Sequence, residues 1–222
     1  LPATGKETPS LAQAITAWQQ AHGLKADGIY GPITNRAMTW RTPDAVKVVA
    51  KEFGLDPLAF QAIIEVETSG SGFLDDGRPK ILLERHYVYR LATPKQRAAL
   101  PATVCYPTAG GYGAPGANQW DRFEIVAAVD LDLAIRSVSW GLGQVMGDNW
   151  QTIGEQSPQL MMLRAGRCES KQLEQMAAFI VTKAGLKAAI NAHDWLTVAK
   201  LYNGPAQQGY DTKLTAAFAA AR

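Results

Sequence analysis

Residues 57–84 read PLAFQAIIEVETSGSGFLDDGRPKILLE, and the order of signals in this stretch decides how the chain is understood. Asp56-Pro57 is a helix start, because an Asp side chain caps free N–H groups and proline fits the first helical position. The spacing of apolar residues predicts a helix from Pro57 to about Thr68. Ser69-Gly70-Ser71-Gly72 then stops it in a sharp turn. Asp75-Asp76-Gly77 is a hairpin-type turn, and Ile81-Leu82-Leu83 reads as a short strand.

Working outward, Arg41-Thr42-Pro43 marks a boundary, with Thr42 expected as N-cap and Pro43 as first helical residue. The helix after it carries Val46, Val49 and Phe53 on one face and ends at Gly54. Upstream, residues 1–10 have linker composition. Ser10 is the expected cap of a helix from Leu11 to near Gly23, with Leu11, Ala14, Ile15 and Trp18 on its apolar face. Asp27-Gly28 and Gly31-Pro32 are turn signals, and Thr34 opens a short helical run through Ala37, Met38 and Trp40. Downstream, residues 101–121 read as a long irregular loop, of the kind that is functional or mobile. Helices are expected over 123–137, 143–153, 157–164, 171–184, 185–191, 195–202 and 210–221. The fold is therefore mainly α, with one small hairpin.

The 222 residues are 47% apolar and 19% charged, which excludes a disordered chain. The formal charge is only +2 and no dense Lys/Arg run occurs, so a nucleic-acid partner is not expected. No apolar stretch is long enough for a transmembrane helix. No basic region followed by an apolar run marks a signal peptide. Leu1 to Gly5 has the form of a sortase signal but the wrong context, and reads as linker. A chain that starts with Leu suggests a piece of something longer. Cys105 and Cys168 belong to no CxxC or Cys/His cluster, so two free thiols are expected. Were they paired, the bridge would contribute about 4 kcal/mol in the chain-entropy model. His86 reads as a hydrogen-bonded strand residue and has no second ligand at metal spacing, so neither metal nor cofactor is expected.

Glu65 and Glu67 both sit near the end of the Pro57 helix. Two positions differ by about 200° around a helix, so they point to nearly opposite sides. Phe60, Ile63 and Ile64 precede Glu67 on its face, whereas Leu58, Gln61 and Ala62 precede Glu65. A carboxyl over apolar surface loses hydration and its pKa rises, as a general acid for glycoside hydrolysis requires. The pattern prefers Glu67. The alternative is that Glu67 only caps the turn that follows.

Two resemblances add to this reading. Gln19, Gly23-Leu24, Asp27-Gly28, Gly31 and Thr34 resemble the signature of three-helix peptidoglycan-binding domains, over residues 10–41. The family's usual first helix is missing or shortened. Glu67 to Phe73 with Asp76 to His86, Ser139-Trp140-Gly141-Leu142-Gly143-Gln144-Val145-Met146-Gly147, and Tyr202-Asn203-Gly204-Pro205 with Tyr210 together resemble the N-acetylmuramidase family of phage endolysins and antibacterial effectors. This second resemblance covers residues 43–222. It implies a lysozyme-like helical catalytic domain over 42–222, preceded by a linker and peptidoglycan-binding segment over 1–41.

The implied activity is cleavage of the β-1,4 bond between N-acetylmuramic acid and N-acetylglucosamine. Lytic transglycosylase and a catalytically silent peptidoglycan-binding protein are the alternatives. Glu67 is the implied acid. The second carboxylate is Asp76 at the hairpin tip or Glu84 on the following strand, where Arg85 would keep Glu84 ionised or simply pair with it. Ser139, Trp140, Gln144, Tyr202, Asn203 and Tyr210 are the expected substrate-binding residues. Gly141 and Gly143 either let a sugar approach the backbone or allow tight packing. Peptidoglycan is the expected partner of a monomer, with an immunity protein in the effector case and no membrane partner. The expected place of action is the periplasm or wall of a target bacterium, reached by phage lysis or a secretion system.

Overall fold

The computed structural model of the chain describes residues 9–42, 44–68, 70–204 and 208–221, apart from the side chains at positions 9, 10, 32 and 203. Residues 1–8 of the expected linker, Pro43, Ser69 and Pro205 thus lie outside the described parts, whereas Ser10 is already helical rather than a cap that precedes the helix.

Helices α1 (Pro9–Ala21) and α2 (Pro32–Thr39) are joined by the Asp-Gly motif. Gln19, 2% exposed, organises that motif. Its Nε2 donates to Asp27 Oδ1 at 2.9 Å and Thr34 Oγ1 at 2.9 Å, and its Oε1 accepts from the Gly28 N–H at 2.9 Å. Gly28 has φ +70°, and a Cβ there would lie 2.8 Å from Thr16 Oγ1. The spacing of Gln, Asp-Gly and Thr is therefore a folding device: one buried amide on α1 ties together the Asp27-Gly28 turn and Thr34 of α2.

Helix α3 (Ala45–Phe53) starts later than Thr42-Pro43 suggests. Thr42 instead closes a turn, its carbonyl accepting from the Ala45 N–H at 3.0 Å. Gly54 ends α3 at φ +66°. Helix α4 (Pro57–Glu67) is capped as expected, Asp56 Oδ1 accepting from the Ala59 N–H at 2.8 Å. Phe60, Ile63 and Ile64 of α4 are fully buried.

The hairpin turn is present, with the Leu74 N–H on the Arg78 carbonyl at 2.8 Å and a bridge between Phe73 and Pro79. It feeds β1 (Ile81–Leu83), which belongs to a three-stranded antiparallel sheet rather than to a lone hairpin. β1 pairs with β2 (Val138–Trp140), Ile81 opposite Trp140, and β2 pairs with β3 (Val145–Met146), Trp140 opposite Val145. The expected helix over 143–153 is replaced by β3 and a 3-10 turn at Gly147–Asn149. Gly141 at φ +62° and Gln144 at φ 46° reverse the chain, and pairing with β2 overrides the helical pattern.

Two short helices, α5 (Arg85–Leu91) and α6 (Pro94–Ala99), were not expected from the periodicity. The expected helix over 123–137 is two, α7 (Ala117–Ala127) and α8 (Leu131–Arg136), with Asp130 capping the second through the Leu133 N–H at 2.9 Å. The irregular segment is correspondingly shorter, ending where α7 begins. Helices α9 (Pro158–Ala165), α10 (Glu169–Thr182), α11 (Leu186–Asn191), α12 (Trp195–Asn203) and α13 (Tyr210–Ala221) complete the chain. Helix α4 packs against α13, and α3 against α10, around one apolar core. Cys105 and Cys168 are free thiols.

One buried carboxylate links the N-terminal helices to this core. Glu169 on α10, with no solvent exposure, accepts from the Arg41 backbone N–H at 3.2 Å, the Arg41 guanidinium at 3.0 Å and the Gly72 N–H at 2.7 Å. Among the described residues, no helix is long and apolar enough to cross a membrane.

Candidate active site

Glu67 is the last residue of α4, and it opens into a cavity of about 480 Å³. Thr68 and Ser71 from the following turn, Lys80 and Leu82 around β1, and Gln144 from the β2–β3 turn line the same space. Glu67 is the one carboxylate among its lining residues. Burial pushes the Glu67 carboxyl above the usual range, and a hydrogen bond donated by the Tyr210 phenol to Oε1 opposes that shift. The Tyr202 ring stacks on Tyr210 at 6.3 Å with 8° between the planes. Burial and the nearby Glu67 charge drive both phenols far above their ordinary range. Tyr210 therefore stays a hydrogen-bond donor at any working pH. Glu65 turns away, its Oε1 taken by Gln61 Nε2 at 2.7 Å on the exposed face.

The structure does not bring the other two carboxylates into this cavity. Asp76 stands at the exposed hairpin tip, its Oδ2 2.7 Å from an Arg78 guanidinium nitrogen and its Oδ1 accepting from the Arg78 N–H at 3.0 Å. Those bonds hold its carboxyl below the usual range. Glu84 is not on the strand but at the N-cap position of α5, with Oε2 3.1 Å from His86 Nδ1. His86 is a first-turn residue of α5 and not a strand residue. Arg85 does not pair with Glu84: its Nε donates to the Thr108 carbonyl at 3.0 Å.

The expected substrate residues also separate. Gln144 lines the cavity in a left-handed conformation held at both ends of its amide: Nε2 donates to the Gly141 carbonyl at 2.7 Å, and Oε1 accepts from Ser139 Oγ at 2.7 Å. Ser139 is buried behind it. Trp140 cannot reach a sugar, since it is 1% exposed and its indole N–H is spent on the Ile135 carbonyl at 3.0 Å. It packs edge-on against Trp120 and Phe123 inside the core. Tyr202 and Tyr210 are absent from the cavity lining and are placed to act on Glu67. Asn203 closes α12, and its side chain lies outside the described residues. Gly143 is required by packing, because a Cβ would lie 2.6 Å from Met176 Cβ. Gly141 serves packing too, against Gln172, while its backbone borders the cavity.

Residues not singled out from the sequence complete the walls. Gln119, 1% exposed, accepts from the Leu83 N–H at 3.1 Å and donates to the Tyr112 and Ala114 carbonyls. It thereby pins Pro115 and Gly116 of the irregular loop over the cavity edge. Lys80 supplies the one cation among the lining residues. Among the described residues no group of three His, Cys, Asp or Glu is placed to hold a metal ion.

Comparison with known proteins agrees with this architecture. Residues 56–222 match the family model of the N-acetylmuramidases, and residues 1–38 match that of a peptidoglycan binding domain. A crystal structure of a Burkholderia AP3 phage endolysin superposes with a TM-score of 0.76 at 31% identity, covering 99% of this chain and 90% of that one. No curated protein matches the chain. With the family model spanning most of its length and a glutamic acid held in a cavity of the matched domain, the chain belongs to the N-acetylmuramidase family and is a lysozyme-type glycoside hydrolase acting on peptidoglycan.

Proposed function

We propose that Glu67 is the general acid that protonates the glycosidic oxygen between N-acetylmuramic acid and N-acetylglucosamine. The observation that carries this reading is the partly desolvated Glu67 carboxyl in a cavity, bonded by the neutral Tyr210 phenol rather than by a cation. A neutral donor on Oε1 leaves Oε2 as the oxygen that carries the transferable proton. The carboxylate left after proton transfer stabilises developing positive charge on the sugar ring, and as water attacks the anomeric carbon in place of the departing hydroxyl, a proton of that water returns to Glu67. In this reading Asp76 and Glu84 hold the hairpin and the start of α5, and Glu67 alone does acid work. Gln144 offers an amide edge and Lys80 a cation to the substrate.

Residues 1–41 form the wall-binding unit and residues 42–222 the catalytic unit, with α3 belonging to the latter because it packs on α10. A solved neighbour is a phage endolysin, which favours release during phage lysis over injection by a secretion system. That route places the protein at the wall of the lysing bacterium and calls for no immunity partner.

Digesting purified sacculi and weighing the muropeptides tests the chemistry. Products ending in reducing N-acetylmuramic acid are expected. Products lighter by one water would identify a 1,6-anhydro end and a transglycosylase, and reducing N-acetylglucosamine ends would move the cut to the other linkage.

A further inference from the structure

A second cavity, of about 600 Å³, lies where α2 meets the hairpin. One wall carries Asn35, Arg36 and Trp40 of the N-terminal unit, and the other carries Asp75 and Lys80. Ser71, Leu74 and Lys80 line both this cavity and the one holding Glu67, so the two share a wall. The contact is close: a Cβ on Gly77 would lie 2.8 Å from Asn35 Nδ2. The Arg36 guanidinium carbon lies over the Trp40 ring, 3.8 Å from its centroid. A guanidinium held against a ring face retains N–H donors for a planar carboxylate. Among the described residues neither Arg36 nor Lys80 makes an ion pair, and they outnumber the single Asp75 carboxylate in the lining.

We propose that this cavity takes the acidic peptide stem of the muramoyl residue next to the cleaved bond. The proposal rests on the Glu67 reading, because a cut beside N-acetylmuramic acid puts the stem next to that site. Stems carry several carboxylates on a short chain, whereas the glycan itself carries none once its lactyl groups bear stems. A cation-rich cavity adjoining the Glu67 cavity therefore fits the stem better than a further sugar. The N-terminal unit then contributes to substrate selection at the site itself, besides any hold on the polymer elsewhere.

The test is equilibrium binding in the Glu67→Gln background, with soluble glycan chains carrying stems and the same chains stripped of them by an amidase. Arg36→Glu is expected to weaken binding of stem-bearing chains about tenfold and to change stripped chains less than twofold, with Arg36→Lys in between. Higher salt should narrow the wild-type preference for stems. Equal weakening on both chains, or no weakening on either, overturns the proposal. Arg36 is exposed on its helix, so a thermal scan is expected to show both variants folded. Failure of the Glu67 reading would appear separately, as absence of reducing ends when the wild type meets either substrate.

Discussion

The end of α4 and the tip of the hairpin each carry a carboxylate, and the protein treats the two in opposite ways. Glu67 is set into a cavity with a phenol on one oxygen, and burial raises its pKa. Asp76 sits in solvent with a guanidinium and a backbone N–H on its oxygens, and its pKa falls. A cation and an N–H stabilise the charged form of a carboxylate, whereas desolvation with a neutral partner stabilises the protonated one. Nearness in sequence and a place on a hairpin do not make a second catalytic group; the partners decide.

The largest expected effect is on Glu67 itself. Glu67→Gln keeps size and hydrogen bonding but removes the acid, and release of reducing ends from sacculi should fall by about 10³-fold, within the range for a lost general acid. Wild-type rates in that variant would mean that the contrast says nothing about catalysis. Next is Tyr210→Phe, with a rate loss of about tenfold for a single donor to the acid. Because the phenol lowers the Glu67 pKa, its removal should also move the alkaline limb of the pH–rate profile upward. An unmoved limb would detach Tyr210 from the acid.

Asp76→Asn should cost less than about threefold, since it breaks only an exposed pair. A loss near that of Glu67→Gln would restore Asp76 as the second carboxylate and collapse the comparison. The smallest effect is thermal. A carboxyl whose folded pKa lies above its unfolded value favours the fold at low pH, and that contribution is lost as pH rises through the folded pKa. Glu67→Gln should therefore melt higher than wild type at pH 7, with the gap closing near pH 3. The Asp76 contribution has the reverse sign: present above its unfolded pKa and lost as pH falls through the lower folded one. Solvent screening keeps it small, so Asp76→Asn should shift melting little at pH 7 and not at all in strong acid.

Local signals in the sequence were legible wherever one segment carries its own reason for folding. Asp56-Pro57 caps α4, Gly54 ends α3, and opposite helix faces separate Glu67 from Glu65, each from neighbours within a few residues. Thr93-Pro94 with Gln96 is a capping box that announces α6, though its two turns are too short for periodicity to show. What could not be read depends on distant partners. Residues 143–153 have a helical pattern, yet β2 pairs with Val145 and Met146. Trp140 and Gly143 sit in a motif that looks like a cleft wall, but each faces the core, one toward Phe123 and the other toward Met176. Gln119 gives no local hint of its task, which is to join a loop carbonyl to a strand N–H.

Glu169 also bears on how such enzymes can be recombined. Its sealed carboxylate takes one set of bonds from Arg41, just past the binding-domain match, and another from Gly72, just before the hairpin. A shuffled protein that joined a foreign wall-binding module at position 56, where the catalytic family model begins, would discard Arg41 and leave that carboxylate facing an N–H alone. Breaking a buried pair in this way costs about 3–5 kcal/mol, a large share of a domain's stability. The workable splice point therefore lies upstream of Arg41, and only a module joined downstream of it must bring its own cation for Glu169.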